Sequence, residues 1–181
     1  MLKRLSMFAA LLSLSGSLAA AVSRPAAGSP DFARMVVRAQ NAERAQLGLV
    51  QMAWDPALAN HAAHYAAELA ATDKWEHSDH RRRVGQGENL WMGTKGAFTI
   101  EFMVGEWLAE RAVFRPGIFP NVSTTGVMGD VGHYTQIIWP ETHRIGCALR
   151  SSAKYDYLVC RYSEAGNVIG RPMRALTVAS R

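Results

Sequence analysis

Four side chains are placed where they could do chemistry: two imidazoles, His77 and His133, and two carboxylates, Glu88 and Glu110. His77 and Glu88 share one long Gly-, His- and Arg-rich stretch, in Trp75-Glu76-His77-Ser78 and Gly87-Glu88-Asn89-Leu90-Trp91. His133 stands in Gly132-His133-Tyr134-Thr135-Gln136. If the fold brings them to one cleft, two imidazoles and two carboxylates can hold a divalent ion such as Zn²⁺. The imidazoles supply nitrogen ligands, and the carboxylates either ligate or orient a histidine. The alternative is a metal-free tetrad in which each His is hydrogen-bonded to a Glu. Taken singly, each of the four fits a structural role better than that of a ligand. Periodicity alone puts Glu110 about 20° around its helix from Met103, at the rim of the apolar stripe. His61 and His64, three apart on a helical stretch, could also hold a metal, although such pairs usually sit on a surface. His80 and His143 lie in polar loops and take no role. No His-Glu-x-x-His helix and no Gly-x-Ser-x-Gly elbow is present.

The elements that must position these groups divide the chain into a helical half and a strand half. Ser29-Pro30-Asp31 opens a helix that runs to about residue 47 and stops at Gly48. Asp55-Pro56 opens a second, with Leu58, Ala62, Tyr65 and Leu69 at helical spacing. A third covers about residues 99–113, with Ile100, Met103, Val104, Trp107 and Leu108 on one stripe. Residues 73–96 read as one irregular stretch, long for a plain connection, and long structured loops usually carry function. Residues 133–139 alternate, 145–149 are short and apolar, and 155–162 are β-branched and aromatic, so three strands are expected. An antiparallel hairpin of the last two places Cys147 opposite Cys160. A bond there would close a loop of about 13 residues and contribute roughly 3 kcal/mol in the chain-entropy model. Two free buried thiols are the alternative.

Composition sets the setting. The 181 residues are 49% hydrophobic and 19% charged, ordinary globular values that exclude long disorder. Lys3-Arg4, an uncharged run from Leu5 to Leu18 and Ala19-Ala20-Ala21 form a secretory leader over residues 1–21, with an uncleaved membrane anchor as the alternative. No later segment is apolar enough to cross a membrane. Cleavage lowers the net charge from +5 to +3, because Lys3 and Arg4 leave, and so modest a charge indicates no nucleic-acid partner. Arg81-Arg82-Arg83 reads as a solvated loop. Export favours a bonded cysteine pair and places the protein outside the cell, or in the periplasm of a bacterium. Residues 22–29 are a linker, 30–170 the domain and 171–181 a C-terminal tail. Asn121-Val122-Ser123 matches a glycosylation sequon.

Several ordered motifs then carry a resemblance. Gly132-His133-Tyr134-Thr135-Gln136-Ile137-Ile138-Trp139, followed by Ile145-Gly146-Cys147-Ala148, resembles the first signature of the CAP superfamily, the SCP domain of cysteine-rich secretory, antigen 5 and pathogenesis-related 1 proteins. Tyr157-Leu158-Val159-Cys160-Arg161-Tyr162, ending at Gly166-Asn167-Val168, is similar to the second, and Gly87-Glu88-Asn89-Leu90-Trp91 to a third. Gln40-Asn41-Ala42-Glu43-Arg44 resembles a helix-packing motif that usually opens with His, and Trp54-Asp55-Pro56 also fits. Together these cover about residues 31–167.

The resemblance implies an α+β fold, a three-layer α-β-α sandwich with a small antiparallel sheet between helices. It implies a cleft built from His77, Glu88, Glu110 and His133, which moves Glu110 from rim to cleft ahead of its competitor Glu106. Asn41, Arg44, Asn89, Tyr134 and Gln136 are the residues that support these motifs. The implied pairing of Cys147 with Cys160 agrees with the hairpin. The expected function is that of a secreted binding, defence or signalling module. Its cleft would hold exchangeable zinc, and its ligand would be a lipid, a sterol or an extracellular protein. The alternative is a metal-dependent peptidase or esterase in which Glu88 or Glu110 activates a zinc-bound water.

Overall fold

The computed structural model describes residues 25–173. The expected leader at 1–21 and residues 174–181 of the expected tail lie outside them. Helix α1 (Pro30–Gln46) starts where the Ser29 hydroxyl accepts a hydrogen bond from the Phe32 amide, and it ends before Gly48, whose φ is +68°. Strand β1 (Ala53–Trp54) is followed by α2 (Pro56–Thr72), capped by the Asp55 carboxylate, which accepts from the Ala57 and Leu58 amides. These two helix starts are local chemistry, and they fall where the sequence puts them.

The sheet runs in the order β1, β4 (Arg144–Ser151), β5 (Tyr155–Ser163), β2 (Gly87–Thr94). Strands β4, β5 and β2 pair antiparallel, whereas β1 joins β4 in parallel, so the sheet is mixed rather than wholly antiparallel. Cys147 faces Cys160 in the β4–β5 register and the two are bonded. The parity of β5 sorts its side chains into two cores. Tyr157 and Val159 pack with Ala62, Tyr65, Ala66 and Leu69 of α2. Leu158, Cys160 and Tyr162 pack on the other side, with Phe32 and Val36 of α1 and with Met103 and Trp107 of α3 (Ile100–Ala109). Helices therefore cover both faces, giving the α-β-α sandwich. Gly146 lets α2 approach, because a Cβ there would collide with the backbone at Asp55, Leu58 and Ala59. A second small sheet pairs β3 (Gly117–Ile118) with β6 (Pro172–Met173), at the head of the expected tail.

Two expectations are corrected. Residues 73–96 are not wholly irregular, because they contain β2. This strand is buried on both faces from Gly87 to Trp91, and its buried Glu88 and Asn89 break the alternation that betrays a half-exposed strand. Residues 133–139 do not form a strand; Gly132–Ile137 is a short helix, α4. It mixes polar and apolar residues, yet Tyr134, Thr135, Gln136 and Ile137 are all buried. Its polar members are satisfied by hydrogen bonds within the protein, some local and some from the segment at 166–167, so polarity does not report exposure there. Thr135 Oγ1 donates to Asn167 Oδ1, and Gln136 Nε2 donates to Thr142 Oγ1.

Candidate functional site

The α-helical part of the third helix ends at Ala109, and Glu110 opens a tight helical turn through Val113. That turn brings Glu110 to the start of α4. Glu110 Oε2 accepts from the backbone amides of His133 and Tyr134, both at 2.9 Å, so the carboxylate caps α4 from another element. Its Oε1 accepts from His133 Nδ1 at 2.5 Å. The His133 ring stacks on Trp107 with centroids 5.8 Å apart, and Trp107 is itself held by an Nε1 hydrogen bond to Leu90 O.

The far end of α4 is held from α1. Buried Arg44 donates from Nη1 to the carbonyls of Ile137 and Trp139 and from Nη2 to that of Thr142. Burial draws its guanidinium down to about 10, against a smaller raising effect of Tyr162. Asn41 bonds both ways with Met52, through its side-chain amide and carbonyl. Arg44 and Asn41 thus hold the scaffold together and do not enter the cleft. Tyr134 donates to Glu43, and burial, first, and then that carboxylate push its phenol up.

His77 and Glu88 form a second pair. His77 Nδ1 donates to Glu88 Oε1 at 2.7 Å, and the Ser78 amide donates to the same oxygen. Glu88 Oε2 accepts from Ser78 Oγ and from Arg161 Nη2, both at 2.9 Å. Burial alone would raise the Glu88 carboxyl. The His77 hydrogen bond, the Arg161 charge and the Ser78 donors outweigh it and hold the carboxyl below its usual value. On the other side of β2, Asn89 donates to His133 O and to the Tyr162 hydroxyl, which fixes where α4 meets the sheet.

The four predicted residues therefore sort into two His–Glu pairs. His77, Glu88 and His133 line a single cleft of about 520 Å³, together with Gln136 and the loops at 119–120, 128–132 and 166–169. Gly87 faces that cleft with no room for a Cβ, which would fall on the Gln136 side chain. Glu110 stands behind His133 as its partner, and Glu106 is exposed elsewhere. His61 and His64 are exposed on α2, His61 bonded to Gln86. Among the described residues, no group of three or more His, Cys, Asp or Glu is arranged to hold a metal. Every carboxylate oxygen of the two pairs is already engaged. The donors that remain for a metal are the two Nε2 atoms, since a carboxylate-bound Nδ1 carries the proton. Two nitrogens fall one short of the three protein ligands of a catalytic zinc centre.

Four residues outside the sequence-derived set belong to this region: Ser78, Trp107, His80 and Arg83. The stripe on α3 contained Trp107, and Ser78 adjoins His77, so both were within reach. His80 and Arg83 line the cleft, although the sequence gives the first no role and the second a solvated one. The solvated reading does describe Arg81 and Arg82, which pair on the surface with Asp79 and Glu68.

Residues 37–162 match a family described as the cysteine-rich secretory protein family, CAP. Pathogenesis-related protein 1C of Nicotiana tabacum is 37% identical over 136 residues, covering 74% of this chain and 75% of that protein. The pathogenesis-related protein PR-1 type of Sambucus nigra is 35% identical, covering 75% and 77%. Among solved structures, NaASP2 with Zn²⁺ superposes with a TM-score of 0.69 at 23% identity, over 86% of this chain and 91% of that one. Schistosoma mansoni venom allergen-like protein 4 gives 0.65 at 23% identity, over 83% and 99%.

Proposed function

Because the chain belongs to the cysteine-rich secretory protein family, we propose that it works as a secreted binding or defence module whose His–Glu cleft holds its ligand without turning it over. One observation carries this reading: donors fill all four lone-pair sites of Glu88, and Glu110, with three of its four filled, stands behind His133 outside the cleft lining. A general base needs a free lone pair within reach of a water or substrate. Glu88 spends its oxygens on His77, Ser78 and Arg161, and Glu110 spends its own on His133 and the first turn of α4. What the pairs offer outward is two oriented imidazoles.

His77 and His133 would hold a divalent ion, with Glu88 and Glu110 behind them as orienting acceptors. A bound ion would supply a compact positive charge able to recruit an acidic or carbonyl group of a ligand. A sterol or other lipid has a better-matched surface elsewhere, in a groove of about 820 Å³ along α1 whose walls include Ala33, Val37, Ala45 and Trp54. The experiment that tests the reading compares wild type with His77→Ala and His133→Ala by zinc calorimetry and by a broad peptide and ester turnover screen. Weak zinc binding lost in both variants, with no turnover, is the expected result. Metal-dependent turnover abolished by both substitutions would replace this reading with the hydrolase alternative. Extraction of a labelled sterol or fatty acid from vesicles would place the lipid on the protein, and no retention would remove it.

A further inference from the structure

The cleft is amphipathic, and its one charge lacking an opposite partner is a cation. Two charged residues line it, Arg83 and Glu88. Glu88 is matched by Arg161 at 2.9 Å in a pair whose side chains are 4% and 0% exposed. Arg83 makes no ion pair with a carboxylate among the described residues. Instead Nε donates to Ser78 O at 3.1 Å, Nη1 to Gln86 O at 3.1 Å, and Nη2 to His80 Nε2 at 3.3 Å. A guanidinium carries five N–H groups. Three are used, one of them from each terminal nitrogen, so each terminal nitrogen keeps one N–H. Two N–H groups on a planar fork held by two backbone carbonyls are matched to the two oxygens of a carboxylate or phosphate. Other cations crowd the neighbourhood: Arg161, lowered first by burial, is lowered further by the charges of Arg83 and Arg82.

Another part of the cleft lining is apolar and exposed. Met128 and Ile169 line it and are 45% and 80% exposed, beside Val127 and Val168 at 54% and 46%. Apolar side chains left in water at the mouth of a cleft mark a binding surface.

We propose that this cleft takes an anionic ligand with an apolar body, its carboxylate or phosphate paired with Arg83 and its body laid against Met128 and Ile169. The proposal rests on the cleft being the binding site, as read above.

The test is calorimetry in the presence of a chelator, with 3-phenylpropionate, its uncharged amide and phenyl phosphate as probes. Wild type is expected to bind at least one of the two anions about tenfold more tightly than the amide, the scale of a hydrogen bond to a charged group. The tighter of the two identifies the headgroup. Arg83→Gln should remove the preference for the anion, and Ile169→Ser, at an exposed position, should weaken anion and amide alike. Equal binding of acid and amide, or a preference that survives Arg83→Gln, overturns the proposal. Wild-type protein that binds zinc yet neither anion also overturns it, while leaving the metal reading intact. Protein that binds neither zinc nor anion overturns both.

Discussion

The two His–Glu pairs share a hydrogen bond and differ in nearly everything behind it. His133 is 28% exposed, stacked on Trp107, and its carboxylate caps a helix. His77 is 54% exposed on a loop, but its carboxylate is completely buried and ion-paired with Arg161. One pair invests its rigidity in the imidazole, the other in the carboxylate. A site assembled this way has one fixed arm and one adjustable arm.

The largest expected effect separates the carboxylates. Glu88→Ala strands Arg161, whose Nε and Nη1 have no hydrogen-bond partner among the described residues, in a buried position. Removing one member of a buried pair costs about 3–5 kcal/mol, measurable by urea unfolding. A loss under 1 kcal/mol would break the comparison at its strongest point. The same carboxylate predicts an acid limb. Its folded pKa lies below the unfolded value, so its contribution is present above about pH 4.5 and drains away as pH falls through the folded pKa. Glu88→Gln should flatten that limb relative to wild type.

Glu110→Ala removes a cap on two amides and should cost about 1–2 kcal/mol, less than Glu88→Ala. Its sharper signature is faster amide exchange at His133 and Tyr134. Trp107→Phe keeps an aromatic face under His133 but leaves Leu90 O without its donor, costing about 1 kcal/mol. If that variant also unfolded the protein, His133 would owe its position to the core rather than to the stack. Last, His77→Ala should leave thermal stability within about 0.5 kcal/mol, because Ser78 and Arg161 still satisfy Glu88. A larger fall would mean that both arms are fixed.

What could be read from the sequence follows how local its causes are. Ser29 and Asp55 cap their helices within three residues, and Cys147 and Cys160 straddle a short turn, so α1, α2 and the hairpin are legible. Helix α4 is not, because its stabilising contacts come from Glu110 and Arg44, 23 and 93 residues away from the groups they bind. Arg161 as the partner of Glu88 depends on the β2–β5 register, which pairs the two residues directly, and no residue spacing announces it. His77, Glu88, Glu110 and His133 are legible as a set only through motif resemblance, whereas Arg83 matches no motif and lies in a run of three arginines.

Helix α4 has a consequence for how damage spreads. It is six residues long, far too short to persist alone, and is held at one end by Glu110 and at the other by Arg44. The oxygen pair that starts the helix also aims the His133 ring. Fraying of its first turn and misalignment of that imidazole are therefore a single event. The amide of His133 becomes a built-in gauge: its exchange rate reports, without any ligand present, what fraction of molecules hold that side of the cleft ready.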